Sequence, residues 1–431
     1  MADEVDFDVV VIGAGVAGCV AAHQLALQGL SVVLIERGET AGSKNLSGGI
    51  LYCRAMTDIF PAFLDQAPVE RRIDRNLTMF TNADSWVGIE YADRRLFDAG
   101  TAVTVLRAHL DAWLAEQAEA AGAMVMTGVK VDGLLMDSGQ VVGVKAGEDE
   151  LRCRVVVAAD GANSFIARAA GLREKPSMDQ QGVGIKALIK LGADKIEDRF
   201  GVEEGHGVAY GLVGDITMGV GNGAFLYTNK DTISVGVVLR LDDLVKKGVK
   251  SVDVFDHLIA HPLVDSLVRG GELMEYGCHL ANEGGEAMMG QIVHHGLILI
   301  GDAAGLTLNT GLTIRGMDLA TGSAVAAAQG IAQAIAANDV TAVGLGAYQT
   351  VLDESFVGKD MHTYAKAPGF LENERMYGAY PQLLADVMRS VYNLDTTARS
   401  HLLPTARAVL KGSRVKLRHL ASDGWKAVKA L

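Results

Sequence analysis

Proline is scarce in this 431-residue chain, with seven in all, and cysteine is scarcer, with four. Cys19, Cys53, Cys153 and Cys278 stand singly, so neighbours supply no zinc knuckle, CxxC redox pair or ferredoxin-type cluster motif. Such usage fits a reduced, cytosolic compartment. Basic charge is short as well: 39 Lys and Arg against 52 Asp and Glu leave a net charge of −13, the wrong sign for a nucleic-acid binder. No uninterrupted apolar run approaches the ~18 residues of a membrane-spanning helix. The longest candidates, residues 9–35 and 312–337, are broken by His23, Gln24 and Gln28 and by Arg315, Asp318, Gln329 and Gln333. Any membrane contact is therefore expected to be peripheral. The acidic opening MADE lacks the basic start and cleavage site of an export signal. The histidines show no HExxH spacing, His294-His295 reads as a surface or packed pair, and no nucleophile has a recognisable base, so metal sites and hydrolysis have no support.

Glycine, by contrast, is abundant: 51 residues, about 12% of the chain, against an average of about 7%. Tight βα turns and close backbone approaches follow from that excess. The length allows two or three packed units and a large core. Residues 6–12 read as a strand, 16–28 as a helix and 31–36 as a second strand, one βαβ unit. A helix is expected over 106–121, then short strands over 125–131, 134–136, 141–146 and 154–159. From 182 to 239 the β-rich pieces suggest an antiparallel sheet domain. An apolar strand returns at 296–300, followed by an alanine-rich helix over 313–337. The predicted fold class is α/β, α+β overall: a Rossmann-like dinucleotide-binding domain, discontinuous in sequence (1–75, 100–175 and 285–345), with an inserted antiparallel β-sheet domain (76–99 and 176–284). A helical C-terminal region with a basic tail (346–431) completes it. That tail has eight basic residues and one acid from 396 onward. With Val415, Leu417, Leu420 and Trp425 it suits an acidic partner or an anionic membrane surface. The alternative is an exposed helix that merely solubilises the end.

GAGVAG at 13–18 lies between strand and helix, with Glu36 ending the next strand. Gly13 permits the tight turn, Gly15 lets a pyrophosphate approach, and Gly18 allows close helix packing, while the helix start supplies donors. Ile12, Val16 and Ala17 complete the turn. Glu36, followed by Arg37, would accept from an unmodified ribose and repel a 2′-phosphate. This fingerprint does not separate NAD from FAD. The second half of the chain decides for FAD: Gly301-Asp302-Ala303-Ala304-Gly305 follows a buried strand and places a carboxylate where a ribityl chain would pass. A helix start around Gly311, Leu312 and Thr313 would then aim amides at the flavin N1 and C2 carbonyl. For Asp302 a helix N-cap is the competing role. Asn309 and Arg315 flank that helix start and could donate to the ring or add positive charge.

Together the fingerprint, VLRAHLDAWL at 105–114, Asp160-Gly161 and Gly301-Asp302 resemble the glutathione reductase 2 class of FAD proteins. AGSKNLSGGILY at 41–52, GAFLYTN at 223–229 and residues 301–320 are similar, more narrowly, to the C component of the Fix electron-transfer system, electron transfer flavoprotein:quinone oxidoreductase-like FAD proteins. The resemblance implies that Arg107 holds the FAD diphosphate, that Val129 and Val131 offer backbone to adenine, and that Asp160-Gly161 lies near the phosphate and ribityl region. It also implies that Lys44, Asn45, Ser47, Gly48 and Gly49 pass beside the isoalloxazine.

It further implies electron flow from an electron transfer flavoprotein through FAD to a membrane quinone, in a complex that divides electrons from NADH. No cysteine follows Cys278, so an iron-sulfur cluster is expected on a small ferredoxin-like partner. The absence of a second GxGxxG argues against a disulfide-reductase layout. The expected location is cytoplasmic, on the inner face of the membrane. Rival readings are a geranylgeranyl reductase- or aromatic hydroxylase-like flavoenzyme and a flavin-containing scaffold.

Overall fold

Val9, Val10, Val11 and Ile12 are all buried, an unbroken apolar run of the kind that only a strand covered on both faces can hide. In the computed structural model, which describes residues 5–45 and 48–431, this run is the central strand of a parallel sheet. β1 (Phe7–Ile12) pairs in parallel with β2 (Val32–Ile35) on one side and β10 (Asp149–Ala158) on the other. β7 (Met124–Met126) extends the sheet beyond β2, and β17 (Leu297–Leu299) beyond β10, also in parallel. β16 (Val293–His294) closes the edge, and the hairpin of β8 (Gly133–Asp137) and β9 (Gln140–Ala146) continues from the start of β10. Three stretches far apart in sequence thus share one sheet, as a discontinuous nucleotide-binding domain requires.

α1 (Val16–Leu27) packs against both α2 (Arg107–Ala120) and α3 (Met317–Ala336). α3 is long and apolar enough to cross a membrane, yet 13 of its 20 residues are buried in the protein core. Its Ala, Gly and Ser content suits that position, since small side chains let helices approach closely.

The second sheet runs in the order β15 (Glu272–Asn282), β11 (Gln181–Lys190), β14 (Thr232–Arg240), β13 (Asn222–Thr228), β12 (His206–Gly214), β4 (Val69–Asn82), β6 (Ala102–Val105) and β3 (Gly49–Tyr52), with β5 (Ser85–Ala92) on β4. All its pairings are antiparallel except β4 with β12. A separate core backs it: Ile185, Ile233, Val235 and Val237 pack with Val254, Leu258 and Val264 from the helices beneath. Strands β3 and β6 and the first half of β4, which the sequence reading had put with the nucleotide-binding segments, hydrogen-bond into this sheet. Short buried apolar strands carry the same pattern whichever sheet they join, so periodicity could not assign them.

Two element boundaries differ from expectation. The strand predicted over 125–131 stops at Met126, because Gly128 turns with φ +72° and Val129 donates its N–H to the Glu36 carbonyl. The helix predicted from 313 begins at Met317. Residues 311–313 form the tip of a small hairpin between β18 (Leu308–Asn309) and β19 (Ile314–Arg315). The C-terminal region is helical, including α4 (Ala379–Tyr392), α5 (Leu402–Gly412) and α6 (Leu417–Ala430).

Candidate functional site

The turn after β1 leaves no room for side chains. Gly13 has φ +99°, and a Cβ there would lie 2.5 Å from the Ala159 carbonyl oxygen. At Gly18 a Cβ would lie 1.9 Å from the Gly13 carbonyl, so the first turn of α1 rides directly on the turn below it. Gly15 caps α1 without any side-chain hydrogen bond, which leaves the first amides of the helix available to an anion. A Cβ at Gly15 would meet only Nη2 of Arg107, at 3.4 Å. The glycine turn and the guanidinium therefore face one small space, which suits a pyrophosphate.

Arg107 is held there by Asp111, one turn along α2. Its Nε and Nη2 donate to the two carboxylate oxygens at 2.7 Å each. Asp111 is fully buried and also accepts from Asn45 Nδ2 at 2.7 Å. A single carboxylate thus orients the arginine and ties down the loop that precedes β3. That loop then runs over the second sheet: a Cβ at Gly48 would fall 2.2 Å from the Ser234 hydroxyl, and one at Gly49 would fall 3.1 Å from Met317 Cε at the start of α3.

At the end of β2, Glu36 accepts from the Ala14 amide (2.9 Å) and the Gly38 amide (2.6 Å), which fixes the carboxylate beside the glycine turn, where a ribose hydroxyl would meet it. At the end of β10, Asp160 accepts from the Ile166 amide, while its Oδ1 and the Ser164 hydroxyl are buried without a partner among the described residues. Burial pushes the Asp160 carboxyl above its ordinary range, and the Ile166 amide opposes the rise. Buried polar atoms rarely go unmatched, and a bound polyhydroxyl or phosphate chain would satisfy them.

Asp302 sits in a single 3₁₀ turn, Gly301–Ala304, directly after β17. It is not the N-cap; Ile300 occupies that position. Gly301, with φ +56°, lets this turn lie against α1: a Cβ there would be 2.9 Å from the Cβ of Ala17. Gly305 ends the turn at φ +81°. Burial raises the Asp302 carboxyl, and Arg107 pulls it back. The two glycine turns, nearly 300 residues apart in sequence, therefore meet around one space lined by Gly15, Arg107 and Asp302. These residues fit FAD: donors and a guanidinium for the diphosphate, a carboxylate for ribose, and a second carboxylate for the ribityl chain.

Several of the expected site residues are exposed or already engaged within the protein. Arg37 and Lys44 are exposed. The Val129 N–H is committed to Glu36, and Val131 is buried among apolar side chains. Gly311, Leu312 and Thr313 do not open a helix. The Gly311 amide donates to Asn309 Oδ1, and Leu312 is 73% exposed at the hairpin tip. Arg315 adds no free positive charge, because Asp318 and Asp360 both pair with it. Ser47 lies outside the described residues.

Three residues were overlooked in the sequence. Asp111 carries the i, i+4 spacing to Arg107, which is a readable signal. Lys186 on β11 donates to the Gly48 carbonyl at 3.2 Å. Glu283, at the end of β15, accepts from Asn309 Nδ2 at 3.2 Å, and burial pushes its carboxyl up to about 7. Both of these contacts cross between separate parts of the chain and leave no local mark.

Comparisons with known proteins bear on the family, the fold and the cofactor. Residues 6–194 match the FAD binding domain family, and residues 367–431 match the ETF-QO/FixC family C-terminal domain. The chain is 40% identical over 427 residues to the probable electron transfer flavoprotein-quinone oxidoreductase YdiS of Escherichia coli strain K12, covering 99% of each chain. It is 40% identical over 428 residues, again 99% of each, to protein FixC of Salmonella typhi. Among solved structures, a geranylgeranyl bacteriochlorophyll reductase-like protein from Thermoplasma acidophilum superposes with a TM-score of 0.70 at 20% identity, covering 97% of this chain and 99% of that one. A flavin-dependent brominase, Bmp2, gives 0.61 at 18% identity, over 94% of this chain and 98% of its own. At those identities the two structures speak for the fold alone.

Proposed function

The chain belongs to the ETF-QO/FixC family and is an FAD-dependent oxidoreductase, and from that premise we propose that it takes electrons from an electron transfer flavoprotein and delivers them to a membrane quinone. The observation that carries this reading is the meeting of the Gly13 turn, Arg107 and Asp302 around one space, in a chain matched over 99% of its length by a relative named for that activity. FAD, when bound, exchanges electrons singly or in pairs, which suits a flavoprotein donor and a quinone acceptor.

The chain's own residues supply position. The α1 amides and Arg107 hold the diphosphate, Glu36 the ribose, and Asp302 with Asp160 the ribityl and phosphate region. Asn45, pinned to Asp111, and Gly48 and Gly49 lie along the isoalloxazine, and β11, β13 and β14 wall the other side. On this reading the FAD-holding segments are 1–75, 100–175 and 285–345, with β3, β4 and β6 bridging to the sheet domain. Cys19, Cys53 and Cys153 are buried singly and Cys278 stands apart, which favours a separate ferredoxin-like partner for any iron-sulfur step. Division of electrons from NADH within such a complex belongs to the same proposal.

Stopped-flow reduction of the FAD-loaded protein by reduced electron transfer flavoprotein, followed by reoxidation with a quinone, tests the function. The expected result is bleaching and recovery of the flavin absorbance. Asp302→Ala should lose both along with its FAD. Flavin that electron transfer flavoprotein leaves oxidised, in a fully loaded protein, would remove the proposal.

Membrane contact is assigned to the tail. Asp423 anchors α6: it is buried, accepts from Arg375 twice at 2.7 Å and from Asn373, and is bonded to the Tyr380 hydroxyl. The Arg375 ion pair holds its carboxyl well below the ordinary range. Anchored in this way, α6 presents Leu417 (72% exposed), Trp425 (63%) and Val428 (77%) at helical spacing among basic residues. Inserting such side chains is worth roughly 1.5–3 kcal/mol each. Trp425→Glu with Val428→Glu is expected to lower partition onto anionic vesicles at least about tenfold while FAD content stays unchanged. Equal sedimentation with vesicles would rule out this face.

A further inference from the structure

We propose that the Lys186 ammonium is the counter-charge for the reduced FAD ring and so helps to set the cofactor's midpoint potential. The inference rests on the reading that lays the ring beside Gly48 and Gly49. Lys186 projects from the middle of β11, where its register partners are Gly236 on β14 and Gly277 on β15. Neither neighbour has a side chain to crowd it. The Phe225 ring from β13 fills the space over Gly236, and the lysine nitrogen lies 5.5 Å from its centroid. On its other side the nitrogen reaches the Gly48 carbonyl.

No carboxylate among the described residues pairs with Lys186. The charged or titratable groups that face it are Arg107 from α2, which pushes the Lys186 ammonium down, and His279 from β15, whose own protonation burial, Lys186 and Arg107 all disfavour, so neither offsets the lysine's charge. β13 presents Phe225 and Tyr227, and β14 presents Ser234. An ammonium taken out of water and given one carbonyl and one aromatic face recovers only part of its lost hydration. A neutral site could have been filled with an apolar side chain. A cation held here instead gains its counter-ion when the adjacent ring takes up two electrons and one proton and becomes one unit more negative. That gain favours the reduced form over the oxidised one and raises the potential.

Burial, with a smaller push from Arg107, lowers the Lys186 ammonium to about 8. Negative charge on the ring raises it again. Below pH 8 the lysine is charged in both states. Above pH 8, reduction draws a second proton from solvent onto Lys186, so the midpoint falls more steeply with pH.

Spectroelectrochemical titration of the FAD-loaded wild type, Lys186→Met and Lys186→Arg, from about pH 6 to about pH 10, tests this. At neutral pH, Lys186→Met should be harder to reduce by at least about tenfold in the equilibrium, or about 30 mV for a two-electron couple. Lys186→Arg should match the wild type at neutral pH but lose the steeper limb above pH 8, because a guanidinium does not titrate there. Equal midpoints and slopes in fully loaded wild type and Lys186→Met overturn the proposal. A folded Lys186→Met that holds no FAD also overturns it, since the lysine would then retain the cofactor rather than tune it. Should the methionine variant not fold, the high-pH limb of wild type against Lys186→Arg decides alone. A wild-type protein that takes up no FAD is a different failure, that of the underlying site reading.

Discussion

Asp111→Ala is expected to destabilise the FAD-free protein by about 3–5 kcal/mol, the usual consequence of stripping one partner from a buried ion pair. Asp111 is fully buried, and it accepts two hydrogen bonds from Arg107 and one from Asn45. Alanine removes all three bonds and leaves a guanidinium that is only 25% exposed without its charge partner. Because the same carboxylate aims Arg107 at Gly15 and pins the loop before Gly48, FAD content should collapse together with stability. Asp111→Asn separates the two effects: an amide oxygen still accepts from Arg107, so the fold should suffer less while FAD binding stays weakened. Urea denaturation of the apoproteins and flavin counts on the purified variants measure both. A loss under about 1 kcal/mol for Asp111→Ala would mean that Arg107 swings into water, and the ion pair would not then be what orders the site.

The parts of this site that were legible in the sequence are those whose chemistry is local. A four-residue apolar run followed by GAGVAG specifies strand, turn and helix within a dozen residues, and Glu36 falls where the next strand must end. Gly301-Asp302 was readable for the same reason, being a buried strand followed by a glycine turn. The hairpin at 308–315 was not, because Gly311 and Leu312 fit a helix start as well as a turn. The pairing of β18 with β19, with the bond from the Gly311 amide to Asn309 Oδ1 at its tip, decides between them. Arg315 looked like free charge until Asp360, 45 residues away, was found paired with it. Lys186 and Gly48 are 138 residues apart. Contacts of that kind depend on how segments distant in sequence come together in the fold, which propensity and spacing do not record. The sheet membership of β3 and β6 escaped for the same reason: AVTV and GILY are short apolar strands that either sheet could accept.

Gly18→Ala and Gly15→Ala are expected to part company, although both residues belong to one six-residue turn. At Gly18 a methyl would meet the Gly13 carbonyl oxygen at 1.9 Å and the Ala159 methyl at 3.3 Å. The first contact is backbone on backbone, so α1 must lift away from β1 to relieve it. Gly13, at φ +99° and with the Ala159 carbonyl oxygen only 2.5 Å from where a Cβ would stand, offers little room for the turn to retreat. Overpacking of this kind costs about 1–3 kcal/mol even where side chains can yield, and here none can, so the FAD-free protein should lose at least that much stability along with its cofactor. At Gly15 the only atom in the way among the described residues is the end of the Arg107 side chain, at 3.4 Å, and φ −84° suits alanine. The FAD-free fold should therefore lose no more than about 1 kcal/mol, the usual difference between glycine and alanine at a helix N-cap. FAD affinity should still fall at least about tenfold, because the methyl stands where the diphosphate approaches. Melting curves of the two apoproteins beside their FAD dissociation constants give the comparison. Wild-type apoprotein stability in Gly18→Ala would contradict the close seating of α1 on the β1 turn, and undiminished FAD affinity in Gly15→Ala would remove the diphosphate from that space.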